Sequence, residues 1–93
     1  AGIYYDVSEN TLQFRGYNNT TRLIISSTGN IGIGTTPTTS ARLDIASTTG
    51  ALLIPRMTTT QRDALTAVNG MLLYNSTLNK FQGYENSAWV DLV

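Results

Sequence analysis

The side chains that acid–base chemistry would need are six carboxylates, Asp6, Glu9, Asp44, Asp63, Glu85 and Asp91. A glycosidase sets two such groups across a cleft of sugar width. None of the six has that setting in the sequence. Asp63 falls in the first turn of an expected helix, where an acid complements the helix dipole; Glu85 falls in a turn and Asp44 on the polar side of a strand. His and Cys are absent, which removes zinc sites of the usual kind, thiol nucleophiles and Ser–His dyads. The run Gly29-Asn-Ile-Gly-Ile-Gly34 has glycines but neither the lysine nor the following helix of a phosphate loop. The expectation is a protein that is not an enzyme and holds no metal and no cofactor.

Binding chemistry is better represented. Tyr17 and Asn18 share one turn with Asn19, and Tyr84 and Asn86 share another. Aromatic faces stack on sugar rings while amides read hydroxyls, so these four are candidate contacts to a surface carbohydrate. A plainer reading puts Trp89 and Phe81 in a small core and Tyr84 at a seam between copies. Arg56 and Arg62 flank the expected helix start, either solvated or paired with Asp63 or Asp91, and surface pairs of that kind add little stability.

The 93 residues leave room for one small domain at most. Six basic and six acidic residues cancel to zero net charge. A nucleic-acid partner is therefore not expected, because such binding needs a basic stripe that displaces phosphate counterions. No stretch approaches the roughly 20 apolar residues of a membrane span, so membrane insertion is not expected either. Fifteen Thr, eight Asn and seven Ser make a polar chain of β-forming character. It begins and ends within strand-like segments, which predicts a piece of a longer protein.

Alternation of apolar and polar residues gives a meander over residues 1–27, with strands 3–7, 11–14 and 22–26. Residues 28–57 form a Gly/Thr-rich, shaft-like segment. Leu23/Ile25, Ile31/Ile33 and Leu43/Ile45 are each spaced i, i+2, which sets each pair on one strand face. The back of the central pair is glycine, which permits close backbone approach. One such narrow row is too little to enclose a core; three copies around an axis would enclose one. Leu52-Leu53-Ile54 reads as a buried strand stopped by Pro55. Residues 58–70 hold a short helix from Thr60 to about Val68, capped by Thr59 or Thr60 with Asp63 in capping-box spacing, and closed by Asn69-Gly70. Residues 71–93 form a second meander. Its Phe81-Gln-Gly83-Tyr84 parallels Phe14-Arg-Gly16-Tyr17, an internal repeat whose first hairpin loop is two residues longer.

The segment Leu23-Ile-Ile-Ser-Ser-Thr-Gly-Asn-Ile-Gly-Ile-Gly-Thr-Thr-Pro37, continuing to Ala41-Arg-Leu-Asp-Ile45, resembles the GNVGIGT-SP-AKLDV segment of phage and viral tail-fibre proteins. Ala51-Leu-Leu-Ile-Pro-Arg-Met-Thr-Thr-Thr-Gln-Arg-Asp-Ala-Leu65 with Asn69-Gly-Met-Leu-Leu-Tyr-Asn75 is similar to a second segment of the same proteins, and Phe81, Tyr84 and Trp89 match the strand pair that follows it. The resemblance implies a mainly β fold: an elongated homotrimeric β-fibre with intertwined short strands and one short helix leading into a small C-terminal β-knob. It implies a virion location, a structural role without catalysis, and attachment to a host surface receptor, for which a carbohydrate is the candidate. The residues expected at the trimer core are Leu23, Ile25, Ile31, Ile33, Leu43, Ile45, Leu52 and Ile54. Similar segments occur in bacterial surface adhesins, the alternative source and location.

Overall fold

Strands dominate because the β-branched residues and the alternating aliphatics allow little else. The computed structural model describes residues 2–93, so Ala1 of the expected first meander lies outside the described residues. The chain divides into two compact units, the first extending to Ala51 and the second Leu52–Val93. The fold is mainly β, with two sheets and one very short α-helix.

The first unit is a five-stranded sheet in sequential order: β1 (Gly2–Asp6), β2 (Thr11–Arg15), β3 (Thr21–Ile25), β4 (Ile31–Ile33) and β5 (Leu43–Ile45). A short 3-10 turn, Tyr17–Asn19, joins β2 to β3. The first four strands pair antiparallel and β5 joins β4 in parallel. The expected boundary at 27/28 therefore separates nothing: β3 and β4 are hydrogen-bonded neighbours, and the Gly/Thr-rich segment completes the meander's sheet.

Register decides what each face carries. Ile3, Phe14, Leu23, Ile33 and Ile45 stand opposite one another across the five strands, and Tyr5, Leu12, Ile25, Ile31 and Leu43 form the row beside them. The three i, i+2 pairs thus lie on one face, in register. The other face carries Tyr4, Gln13, Ile24, Gly32 and Asp44. Residues 34–42 close over it. A Cβ on Gly32 would collide with the Thr35 carbonyl and come 2.9 Å from Pro37 Cδ, so only glycine admits this crossing. Asp44 anchors it by accepting from the Thr38 N–H at 2.9 Å and hydroxyl at 2.8 Å, and Asn30 Nδ2 donates to the Thr39 carbonyl at 3.0 Å.

The second unit is a four-stranded sheet of β6 (Arg56–Met57), β7 (Leu72–Asn75), β8 (Lys80–Glu85) and β9 (Ala88–Asp91). Its helix, α1, spans only Thr59–Asp63 and is capped by Thr58, whose hydroxyl takes the Gln61 N–H while Gln61 Oε1 takes the Thr58 N–H. The expected helix was too long and its Thr60/Asp63 box two residues late. Gln is the better partner in a capping box than Asp, and β-branched Thr66 and Val68 follow where the helix would have to continue. Gly70, at φ +103°, ends a tight turn instead, with Met71 N–H donating to the Val68 carbonyl. The expected strand at Leu52–Ile54 is also absent: these residues precede β6 without pairing, and Leu52 and Leu53 are exposed.

The face of this sheet that meets α1 is tied by polar contacts. Asn75, with no exposed surface, donates through Nδ2 to Thr59 Oγ1 and Gln82 Oε1, both at 3.0 Å. Its Oδ1 accepts from the N–H groups of Thr77 and Leu78. Buried Gln82 accepts from Arg62 Nη1 at 2.9 Å and donates to Asp91 Oδ1 at 2.8 Å. No buried side-chain N or O among the described residues lacks a partner.

The internal repeat is real, but the first hairpin loop, expected to be two residues longer, has the same length as the second. The second strands therefore align two residues away from the expected register. Asp6 and Asn75, Asn10 and Asn79, Gln13 and Gln82 each stand 69 positions apart, at identical places in two hairpins with four-residue loops. Both acceptor side chains, Asp6 and Asn75, take the N–H groups two and three residues on. Both asparagines sit at φ 55°, the left-handed region that Asn tolerates. Gln13 and Gln82 are both buried hubs, each accepting one arginine donor. The aligned Phe-x-Gly-Tyr strings occupy non-equivalent positions, because local turn chemistry rather than the conspicuous aromatics sets the repeat.

Two measurements follow from these networks. Asn75→Ala removes the hub of the second unit and leaves the Thr77 and Leu78 N–H groups without their acceptor; the expected loss is about 2–4 kcal/mol by urea unfolding at fixed protein concentration. The Thr38 amide and hydroxyl hold the Asp44 carboxyl below its ordinary value. A folded-state pKa below the unfolded one gives stability that is complete above about pH 4 and is lost as pH falls through the folded value. Exchange of the Thr38 amide should therefore accelerate selectively under acid, relative to the central β2 and β3 amides, and Asp44→Asn should abolish that pH dependence.

Candidate functional site

Two hydrophobic side chains among the described residues are buried, Ile24 and Leu73, against five polar ones: Thr11, Gln13, Asn30, Asn75 and Gln82. The interior of each unit is largely polar and its uncovered face apolar, the reverse of a monomeric globular domain. That uncovered face is the candidate site.

In the first unit it is the pair of aliphatic rows. Ile3, Tyr5, Phe14, Ile33, Leu43 and Ile45 are 38–73% exposed, and their neighbours Leu23, Ile25 and Ile31 are half-buried. A contiguous apolar surface across five strands exceeds what scattered surface residues produce and marks an interaction face. Six of the expected trimer-core residues, Leu23, Ile25, Ile31, Ile33, Leu43 and Ile45, are brought together on it. Ile3, Tyr5, Leu12 and Phe14 share the face and were not singled out by sequence reasoning. The cross-strand period of β1 and β2 was the signal for them.

In the second unit the equivalent face carries Leu72, Tyr74, Phe81, Val90 and Leu92. Gly83 lets Leu72 and Leu92 close in beside it, their Cδ2 atoms 3.3 and 3.2 Å from where its Cβ would be. Leu52 and Ile54, the other two expected core residues, line an open apolar hollow of about 210 Å³ with Leu53, Arg56, Tyr74 and Phe81. Tyr74 and Phe81 meet edge to face at 4.9 Å. Leu52–Ile54 were expected to be buried. Among the described residues nothing buries Leu52 and Leu53, which are exposed, and Ile54 is half-buried.

Phe81 and Trp89 do not share a core. β8 and β9 put Tyr84 opposite Trp89 on the α1 side, where their rings lie 5.1 Å apart, whereas Phe81, three residues from Tyr84, points to the uncovered face. The Arg62 guanidinium stands 5.6 Å from the Trp89 ring and pairs with Asp63 at 2.8 Å, the one ion pair among the described residues. Tyr84 thus packs on Trp89 on the covered side of the sheet. Asn86, at φ 51°, and Ser87, at φ 61°, form a two-residue turn of the twist that hairpins favour, and Asn69 Oδ1 accepts from the Ser87 N–H at 2.8 Å. Tyr17 is different: it is 81% exposed, followed by Asn18 and Asn19 in the left-handed region. Tyr17 and Asn18 belong to the first unit, Tyr84 and Asn86 to the second.

The family described as the phage tail-like trimerisation region matches residues 30–93, well over half of the chain. The chain belongs to this family. It is a structural, homotrimer-forming segment of phage tail-fibre type. No curated protein and no solved structure matches it.

Ile33→Asp should abolish assembly, because three carboxylates would be carried into an apolar interface, each desolvated at a cost on the order of several kcal/mol. Sedimentation velocity should show the monomer. A trimer at wild-type yield would show that the Ile33 row faces solvent in the assembly.

Proposed function

We propose that this protein is a non-catalytic segment of a trimeric fibre that carries a phage-type particle's attachment to its host, located on the virion. The observation that carries this reading is the inside-out distribution of the chain: polar hubs buried, two apolar sheet faces left open. A chain built this way has its hydrophobic driving force available only for association, and the trimerisation family supplies the number of copies. The carboxylates support the non-catalytic reading. Asp6, Asp44, Asp63 and Asp91 each accept structural hydrogen bonds that fix a turn, a crossing loop, a helix end and a buried glutamine. The family match lends no support to a bacterial cell-surface origin.

A second reading, contact with a surface glycan, is favoured by one feature of the first unit: Tyr17 presents its ring to solvent on a turn shared with Asn18. Tyr84 and Asn86, engaged in ring packing and in turn geometry, support it less.

Light scattering across a range of concentrations tests the principal reading, with a mass three times that of the 10.1 kDa chain expected. A stable, folded monomer at all concentrations would sink it. For the second reading, a glycan array should register binding that Tyr17→Ala removes while the trimer persists. An array with no hits, and host adsorption indifferent to Tyr17→Ala, leaves the segment a plain shaft.

A further inference from the structure

The trimerisation family match begins at residue 30. It therefore takes in β4, β5 and the whole second unit, and leaves out the β1–β2 hairpin and β3. Yet the apolar face of the first unit does not stop at residue 30. Ile31 and Ile33 stand opposite Ile25 and Leu23, which stand opposite Leu12 and Phe14, which stand opposite Tyr5 and Ile3. The surface inside the matched segment runs without a polar break across three more strands to the edge of the sheet.

The repeat gives a second, independent indication. The β1–β2 hairpin is built like the β7–β8 hairpin of the matched segment, in loop length, in the left-handed asparagine and in the buried glutamine. The shared 69-residue offset sets Ile3 with Leu72, Tyr5 with Tyr74, and Leu12 with Phe81. In both hairpins these residues occupy the uncovered face, and the glutamine occupies the covered one. Ile3, at 73%, and Tyr5, at 54%, are as open as Leu72 and Phe81.

From this juxtaposition we infer that the β1–β2 hairpin is itself a copy-to-copy surface: Ile3, Tyr5, Leu12 and Phe14 pack against other copies of this chain, extending the trimer interface N-terminal of the matched region. The occupant is a second copy because the face is continuous with strands that belong to the trimerisation segment. A neighbour seated on Leu23 and Ile33 already stands at the border of Phe14 and Ile3. The inference rests on the proposed trimer and adds to it which residues outside the matched region hold it together.

The chain's lack of cysteine permits a clean test in the full-length protein. Ile3→Cys and Tyr4→Cys place single thiols on adjacent residues of opposite faces. In the assembled protein the thiol at position 3 should react with a bulky maleimide at least about tenfold more slowly than that at position 4. Urea sufficient to dissociate the copies should abolish the difference. In parallel, Ile3→Asp should raise the dissociation concentration of the trimer at least about tenfold, equivalent to about 1.4 kcal/mol. Circular dichroism should be unchanged, since Ile3 contributes little to packing within its own chain. Equal labelling at positions 3 and 4 in a protein that light scattering shows to be trimeric would overturn the inference and leave the trimer intact. A wild-type monomer would instead overturn the proposed function.

Discussion

A β-sheet has two faces, and in each unit of this protein the chain is long enough to cover one. In the first unit the 34–42 crossing, held by Asp44 and admitted by Gly32, occupies the face of Ile24 and Gln13. In the second, α1 occupies the face of Asn75 and Gln82. Everything else follows from that shortage of chain. The covered face is knitted with hydrogen bonds, which give a thin layer its geometry without demanding a thick apolar core. The second face stays apolar and open, and apolar surface is what association rewards.

The two buried glutamines show how the same solution was reached twice. A glutamine inside a hairpin has two donors and an acceptor to satisfy. Gln13 donates through Nε2 to Thr11 and accepts at Oε1 from Thr21 and Arg15; Gln82 donates through Nε2 to Asp91 and accepts at Oε1 from Asn75 and Arg62. Each brings an arginine head group onto the covered face, and Arg62 is in addition paired with Asp63. The strand residues on either side of the glutamine then necessarily point the other way, since side chains alternate. Polar hub and sticky face are thus two readings of one alternation.

Much of this was legible from residue order. The strands, their turns and the alignment of Leu23/Ile25, Ile31/Ile33 and Leu43/Ile45 come from a period of two that sequence carries openly. The closeness of a loop to Gly32 was also readable, because a glycine backing an aliphatic pair has few other uses. What escaped was non-local. That Thr58 and Gln61 cap α1, rather than Thr60 and Asp63, turns on which of three consecutive threonines sits at the helix entry. The hubs at Gln13 and Gln82 look like ordinary polar strand positions until their partners, up to 20 residues away, are known. Leu52–Ile54 reads as buried because its apolar run is real; among the described residues nothing supplies the surface that would bury Leu52 and Leu53. Phe81 and Trp89 were joined by their size, whereas strand parity separates them.

Pairs of opposite charge have almost no part in holding these units together. Arg62 and Asp63 form the single ion pair among the described residues, and Asp63 is largely open to water. The other charged groups bond to neutral partners, Asp44 to Thr38, Asp91 to Gln82 and Arg15 to Gln13, over contact distances far shorter than a Debye length. A fibre assembled from such segments would owe little of its strength to the ionic strength of the fluid around it.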